Sequence, residues 1–270
     1  MQITSHNSDG INFKNYFMKF LHELRNRNAL LYWFGWYNIL AGIICLLLIA
    51  FDDVHLMGIS RWIKPAKFFL SVGIMVFTMG WILYYLQAKK SVVTISYLIV
   101  ISMFFENGII ALQAIRRERS HFNVTNSLNS MLFSLMGIFI LVFTLTTIYA
   151  TYLFFRQKIF AISPSYYWGI RMGLLLFILF SLEGGLMLSL MSHTVGGRDG
   201  EPGLPLVNWS TNYGDLRISH FLGIHSLQLL PLAGYYIATS IKQIILLSVL
   251  YFLLVIALLV QALYSIPLFF

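Results

Sequence analysis

The sequence predicts an all-α polytopic membrane protein, and three observations carry that prediction. Hydrophobic residues make up 59% of the 270-residue chain, charged residues only 10%, and mean hydropathy is +0.77. A soluble domain carries about a quarter charged residues. Apolar stretches of the roughly 20 residues a bilayer crossing needs recur along the chain, and no polar stretch between them is long enough for a soluble domain. In lipid such stretches are helical, because a helix satisfies its own backbone groups where no water can.

Taken in order, residues 1–28 form a basic arm. Within 11–27, Phe13, Tyr16, Phe17, Phe20, Leu21 and Leu24 fall on one helical stripe, with Lys14, Lys19, Arg25 and Arg27 elsewhere around it. This pattern suits an amphipathic helix on an anionic membrane surface, and equally a basic arm that orders only in part. No cleavable signal peptide is expected, because the arm lacks an apolar core and the first long apolar run ends in Asp52-Asp53 rather than at small residues.

Residues 29–270 then read as a seven-helix transmembrane domain with spans at about 29–51, 63–86, 92–115, 130–155, 167–192, 218–239 and 242–264. None of the spans reads as clearly broken, and no internal repeat is evident. The single cysteine, Cys45, sits in an apolar run, which excludes a disulfide framework or a cysteine metal site. The formal charge of +8 lies mostly at span ends, where it sets topology and touches lipid headgroups rather than nucleic acid. Basic residues nearly balance across the two sides. The first helix and its arm favour a cytoplasmic N-terminus in an inner or plasma membrane.

In that frame the polar chemistry is one-sided. His55, His121, His193 and His220 fall at or near the extracytoplasmic ends, His225 a little deeper, and only His6 and His22 lie opposite. At about 1.5 Å per residue, Glu106, Glu183 and Gln228 each lie roughly 14 Å below that mouth, with Gln113 nearer the surface. Polar groups at membrane depth are expensive and mark function by default. The simplest arrangement is a polar shaft. Glu106, Glu183, Gln113 and Gln228 are its catalytic candidates, with each glutamate alternatively a hydrogen-bonding contact between helices, Glu106 with Asn38 or Gln228.

Histidines 121, 193, 220 and 225 are the candidate metal or haem ligands. His220 and His225 are five apart, about 140° around a helix, and lack the HExxH spacing of a helical zinc site. Isolated polar contacts are the competing account. Lys64 and Lys67 open a predicted helix with Pro65, where lysine is disfavoured beside the positive helix end unless an anion is present. Snorkelling beside a Trp62 anchor is the alternative. Arg117 continues a polar stripe from Glu106 through Gln113, and completes the candidate cofactor-binding set with the two lysines. Between 193 and 217, Gly196-Gly197, Asp199-Gly200, Pro202-Gly203, Pro205 and Gly214-Asp215 supply dense turn chemistry, so a compact lid is expected, with Trp209 as an interfacial anchor. Arg198, Asp199, Asp215 and Arg217 can pair with one another there. Next to Glu183, Gly184 and Gly185 suit close helix packing.

Soluble-enzyme signatures (GxSxG, the P-loop, GxGxxG) are absent, as is the serine–aspartate–histidine spacing of the alkaline ceramidase and adiponectin-receptor hydrolases. The segments WIKPAKF (62–68), LQAIRRERSHFN (112–123), HTVGG (193–197) and GDLRISHFLGIHSLQLLPL (214–232) resemble those of a group of bacterial multi-pass membrane proteins. The resemblance implies the membrane class and no activity. The function these residues suggest is an intramembrane metal- or haem-dependent enzyme or redox protein acting on a lipid or other hydrophobic substrate. A proton-coupled permease using Glu106 and Glu183 is the alternative, and a non-catalytic sensor or assembly factor a third.

Overall fold

A computed structural model describes residues 13–201 and 203–268. His6, Pro202 and the first part of the basic arm lie outside them. The architecture is an all-α bundle, and six of its helices are long and apolar enough to cross a membrane.

Helix α1 (Phe13–Arg27) meets α2 (Ala29–Ile49) at Asn28, whose side chain accepts from Leu31 N at 3.1 Å and donates to Ser96 Oγ at 2.7 Å. One asparagine thus caps the first crossing and ties it to the helix that carries Ser96. Leu24 is buried, Tyr16 and Phe20 are exposed, and the Arg27 guanidinium lies 3.8 Å from the Trp81 ring centroid. That distribution fits an amphipathic helix docked along one edge.

After α2, a two-residue hairpin pairs β1 (His55–Leu56) with β2 (Ile59–Ser60) across Met57 and Gly58, both at positive φ as such a turn requires. Helix α3 (Ile63–Leu83) packs on α2 and leads through a short turn into α4 (Lys89–Ile115). Helices α5 (Ser127–Arg156) and α6 (Pro164–Leu190) follow, capped by Asn126 and Ser163. Arg171, which lies within a predicted apolar span, is 9% exposed. Its guanidinium donates to the Phe154 and Gln157 carbonyls at 3.0 and 2.9 Å, closing the C-terminal end of α5.

The predicted span 218–239 is not one helix. It forms α7 (Leu216–Ile224) and α8 (Ser226–Tyr236), which meet at His225. This corrects the expectation of unbroken spans, and the cause is local. The Phe221 carbonyl accepts from His225 Nδ1 at 2.8 Å, and the Leu222 carbonyl accepts from the Tyr251 hydroxyl, so side chains intrude on the helical ladder where it breaks. Pro231 removes one further donor inside α8. Helix α8 is compensated by close contact with α6. A Cβ at Gly169 would stand 2.5 Å from the Leu230 carbonyl oxygen, and the Ser226 hydroxyl donates to Gly173 O at 3.0 Å. On α6 the glycines that admit a close neighbour are therefore 169 and 173. A Cβ at Gly185 would meet nothing within 4 Å, and one at Gly184 only the His220 ring.

Helix α9 (Ile241–Leu263) completes the bundle, capped by Ser240. The main core joins α2, α3, α4, α5, α6 and α8 through residues such as Leu31, Val76, Leu83, Ile99, Phe154 and Tyr167. Outward faces of α5 and α9 carry exposed Leu, Ile, Val and Tyr, as lipid contact demands. Three linkers gather at one end: the 50–62 segment, the 116–126 segment and the lid. Arg61 donates to Ala114 O and Ile115 O, and the Asn208 amide reaches Met57 O.

Candidate functional site

The lid is ordered by its own carboxylates. Strand β3 (Thr194–Val195) pairs with β4 (Gly214–Asp215), and an isolated bridge joins Gly203 to Ser210. Asp199 accepts from the Ser192 hydroxyl, the His193 and Thr194 amides, and His193 Nδ1 at 2.8 Å. Burial alone would raise the Asp199 carboxyl. Those donors override it and hold the group well below the usual carboxylate range. Asp215, 2% exposed, caps α7 through Arg217 N and accepts from Ser210 N. Arg217 closes on it at 2.5 Å. Of the four lid charges, Asp215 and Arg217 pair as expected, whereas Asp199 takes His193.

Beneath the lid, α3 and α4 bring three ionisable groups into sequence. Glu106 is 3% exposed, and its Oε1 lies 3.7 Å from His121 Nε2. On the other side of that ring, His121 Nδ1 lies 3.1 Å from Lys64 Nζ and 3.0 Å from Ser120 Oγ. A charged Lys64 can only donate; with it, Nδ1 is the acceptor and the ring proton sits on Nε2, facing the carboxyl group. The second carboxyl oxygen of Glu106, Oε2, is buried without a hydrogen-bond partner among the described residues. Phe68, Phe122 and Phe133 surround the imidazole with centroids 5.7, 6.2 and 6.4 Å away. Burial depresses His121's basicity far below the ordinary histidine value, and the positive fields of Lys64 and His193 depress it further. At rest this ring is neutral.

Lys67 donates to Val207 O in the lid at 3.1 Å. Both lysines are therefore turned inward. Trp62 is no lipid anchor either: it is 8% exposed and donates to Asp52 Oδ2 at 2.6 Å. Arg61 holds the same carboxylate at 2.5 Å.

A second polar site lies on α6 and α7. Glu183, 7% exposed, accepts from the Ser219 hydroxyl through Oε1, and its Oε2 has no partner among the described residues. His220 sits beside Gly184 and commits Nδ1 to Phe180 O at 2.8 Å. Trp209 meets Phe221 at 5.6 Å and packs the lid onto α7.

Other predicted residues lie elsewhere. Gln113 braces the 116–126 linker, accepting from Arg116 at 2.6 Å and donating to Asn129 at 3.1 Å. Arg117 follows the end of α4 at φ 62° and is exposed, so the polar stripe stops at Gln113 and it is Arg116 that turns inward. Gln228 donates to Thr78 Oγ1 at 3.3 Å. His225 stays with Phe221, at 4.2 Å between ring centroids, apart from the other histidines. Among the described residues, no group of three or more His, Cys, Asp or Glu is placed to hold a metal ion. The cavity of about 220 Å³ lined by Met172, Leu176, Leu179, Ser248, Val249 and Phe252 includes no histidine.

Sequence reading missed the α2–α4 contact in which Asn107 donates to Asn38 Oδ1 at 2.7 Å, the partner once considered for Glu106. An asparagine beside a buried glutamate in an apolar helix was the available signal. Ser219 gave none, since hydroxyls are common in membrane helices.

Comparison with family models, curated proteins and solved structures finds no match to this chain. The functional argument rests on the side chains.

Proposed function

We propose that the protein is an intramembrane acid–base enzyme acting on a lipid or other hydrophobic substrate, with its site opening to the extracytoplasmic face beneath the lid. The observation that carries this reading is the Lys64–His121–Glu106 sequence, with 3.1 Å on one side of the imidazole and 3.7 Å on the other. Glu106 is the general acid or base, its unpartnered Oε2 presented to the reacting group. As His121 gives its Nε2 proton to a Glu106 carboxylate, Nδ1 takes one from the Lys64 ammonium, leaving three neutral groups, and the reverse shift restores the ion pair. Lys64 fixes the tautomer that makes this possible. Among the described residues no group of three or more candidate ligands gathers for the metal- or haem-dependent form of the reading, and this proposal uses His121 as a proton carrier. The basic face of α1 and the lysines at the opposite end favour a cytoplasmic N-terminus in the cell membrane.

A proton-coupled permease is the second reading, and the interruption at His225 favours it, because transporters place broken helices beside buried ionisable groups. Lipid extracts from membranes carrying wild-type protein or Glu106→Gln separate the two. The enzyme reading expects a lipid species that accumulates with the variant and is turned over by purified wild-type protein in nanodiscs. Identical extracts, together with a pH-driven proton flux into proteoliposomes that Glu106→Gln abolishes, would transfer the site to the permease reading.

A further inference from the structure

We infer that the first turn of α3, roofed by the lid, is a binding site for a phosphate-type oxyanion, with Lys64, Lys67 and Arg217 as its cations and Glu106 as its hydrogen-bond donor. This deepens the proposed function, on which it rests, by naming the chemistry of the substrate's polar end.

Four observations converge. Lys64 and Lys67 lie three apart on α3 and so share a face, and Lys67 donates to Val207 O while Arg217 donates to the next carbonyl of the lid, Asn208 O. Of these three cations only Arg217 has a carboxylate within ion-pair distance among the described residues, and that one, Asp215, is also occupied by backbone donors. Lys64 rests on an imidazole and Lys67 on one carbonyl, so neither partly buried amine has a carboxylate in direct contact among the described residues, although the charges of Glu106 and Asp199 reach Lys64 and that of Asp215 reaches Lys67. Helix α3 itself begins at Trp62 with no side-chain cap, which leaves the positive end of a 21-residue helix facing the same place.

The unpartnered Oε2 of Glu106 supplies the independent sign that something belongs there. A buried carboxyl with a free oxygen, next to a histidine whose Nε2–H faces its other oxygen, is completed by an acceptor. Protonated, Glu106 donates to an oxyanion oxygen while the lysines neutralise its charge. The nearby carboxylates do not compete, since Asp199 is saturated by His193, Thr194 and Ser192.

The oxyanion can arrive as a lipid phosphomonoester or as free phosphate, and the test distinguishes them. Full-length protein in phosphatidylcholine nanodiscs is titrated with phosphatidic acid in the disc or with inorganic phosphate in the buffer, and thermal unfolding is followed. Phosphatidic acid is expected to raise the midpoint of wild type. The paired change Lys64→Gln with Lys67→Gln should weaken apparent binding at least tenfold, and arginine at both positions should restore most of it. Lys89→Gln with Lys90→Gln, at the opposite end, should leave the shift intact. A response to inorganic phosphate with the same lysine dependence assigns the site to the free anion. No shift with either probe, or equal losses for the two lysine pairs, would overturn the inference. Binding is read without turnover, so a lysine-dependent shift that survives while Glu106→Gln leaves lipid extracts unchanged would sink the acid–base reading and keep the oxyanion site.

Discussion

Glu106 and Glu183 were indistinguishable as sequence, two glutamates at similar depth on the third and fifth spans, and the structure sets them in different company. Each has one unpartnered oxygen in a buried carboxyl group. Glu183's other oxygen meets a serine hydroxyl, which holds its proton too tightly to exchange it usefully near neutral pH. Glu106 meets an imidazole whose far nitrogen meets the Lys64 amine, and the proposed mechanism shifts protons along these three groups. The lesson is that burial makes a glutamate costly, while its partner decides what that cost is used for. A hydroxyl makes a helix contact. An imidazole makes a relay.

The sharpest way to break this comparison is to neutralise each glutamate without changing its shape. Glu106→Gln is expected to lower activity by roughly 10² to 10⁴-fold, the range for loss of a positioned acid or base. Glu183→Gln should cost less than about tenfold, because glutamine still accepts from Ser219. Both are read as lipid turnover in nanodiscs, with unfolding followed to show that each variant folds. Equal losses would make the two carboxyls one catalytic unit and end the distinction.

The histidines offer a test of the same contrast one step out. His121→Ala removes the proton carrier and should cost about 10 to 10²-fold in activity, with a changed pH profile, since Glu106 would then exchange directly with the mouth. His220→Ala removes a contact to the Phe180 carbonyl and should act mainly on stability, by about 1 kcal/mol. A pH profile unchanged by His121→Ala would remove the relay from the argument.

How much of this was legible in the sequence follows from which interactions are local. Composition and span length specify the membrane bundle. The lid's turns were readable where they rest on glycine, as at Gly196 and Gly200 with positive φ, whereas Leu206 and Asn208 take that conformation without a glycine signal. The α7–α8 break was not, because its cause includes the Tyr251 hydroxyl, contributed from a different helix. The same holds for Lys64 and His121, 57 residues apart: each was a candidate, but as a cofactor-binding lysine and a metal ligand, and only the folded linker puts them at 3.1 Å. Arg117 went wrong for a simpler reason. Helical spacing was extended two residues past the end of α4, where a left-handed residue turns the side chain outward.

The lid's dependence on acid is a smaller effect. Asp199 is held below the ordinary carboxylate range, so its contribution is complete at neutral pH and falls as pH drops below about 4 towards the folded value. Burial depresses His193 as well, against the pull of Asp199. A depressed base also loses stability as pH falls, starting below its ordinary value of about 6.5. The two groups therefore act in the same direction. Amide exchange at Ser192–Thr194, corrected for its intrinsic pH dependence, should accelerate on acidification. Asp199→Asn should exchange faster at neutral pH and respond less to acid. An acid response undiminished in that variant would place the sensitivity elsewhere.

The smallest expected effect is the most pointed. Gln228 was one of the groups that suggested a continuous polar shaft, yet it donates to Thr78, and no hydrogen bond or ion pair joins it to either glutamate among the described residues. Hydrogen bonds between membrane helices contribute on the order of 0.6 kcal/mol, because the alternative state finds partners too. Gln228→Leu should therefore shift thermal unfolding only slightly and leave turnover within about twofold. A variant that kept its fold but lost activity would show that protons or substrate pass Gln228 on their way between the two glutamates. The two sites would then be two ends of one path, and the difference between serine and histidine partners would mark its direction rather than a division of labour.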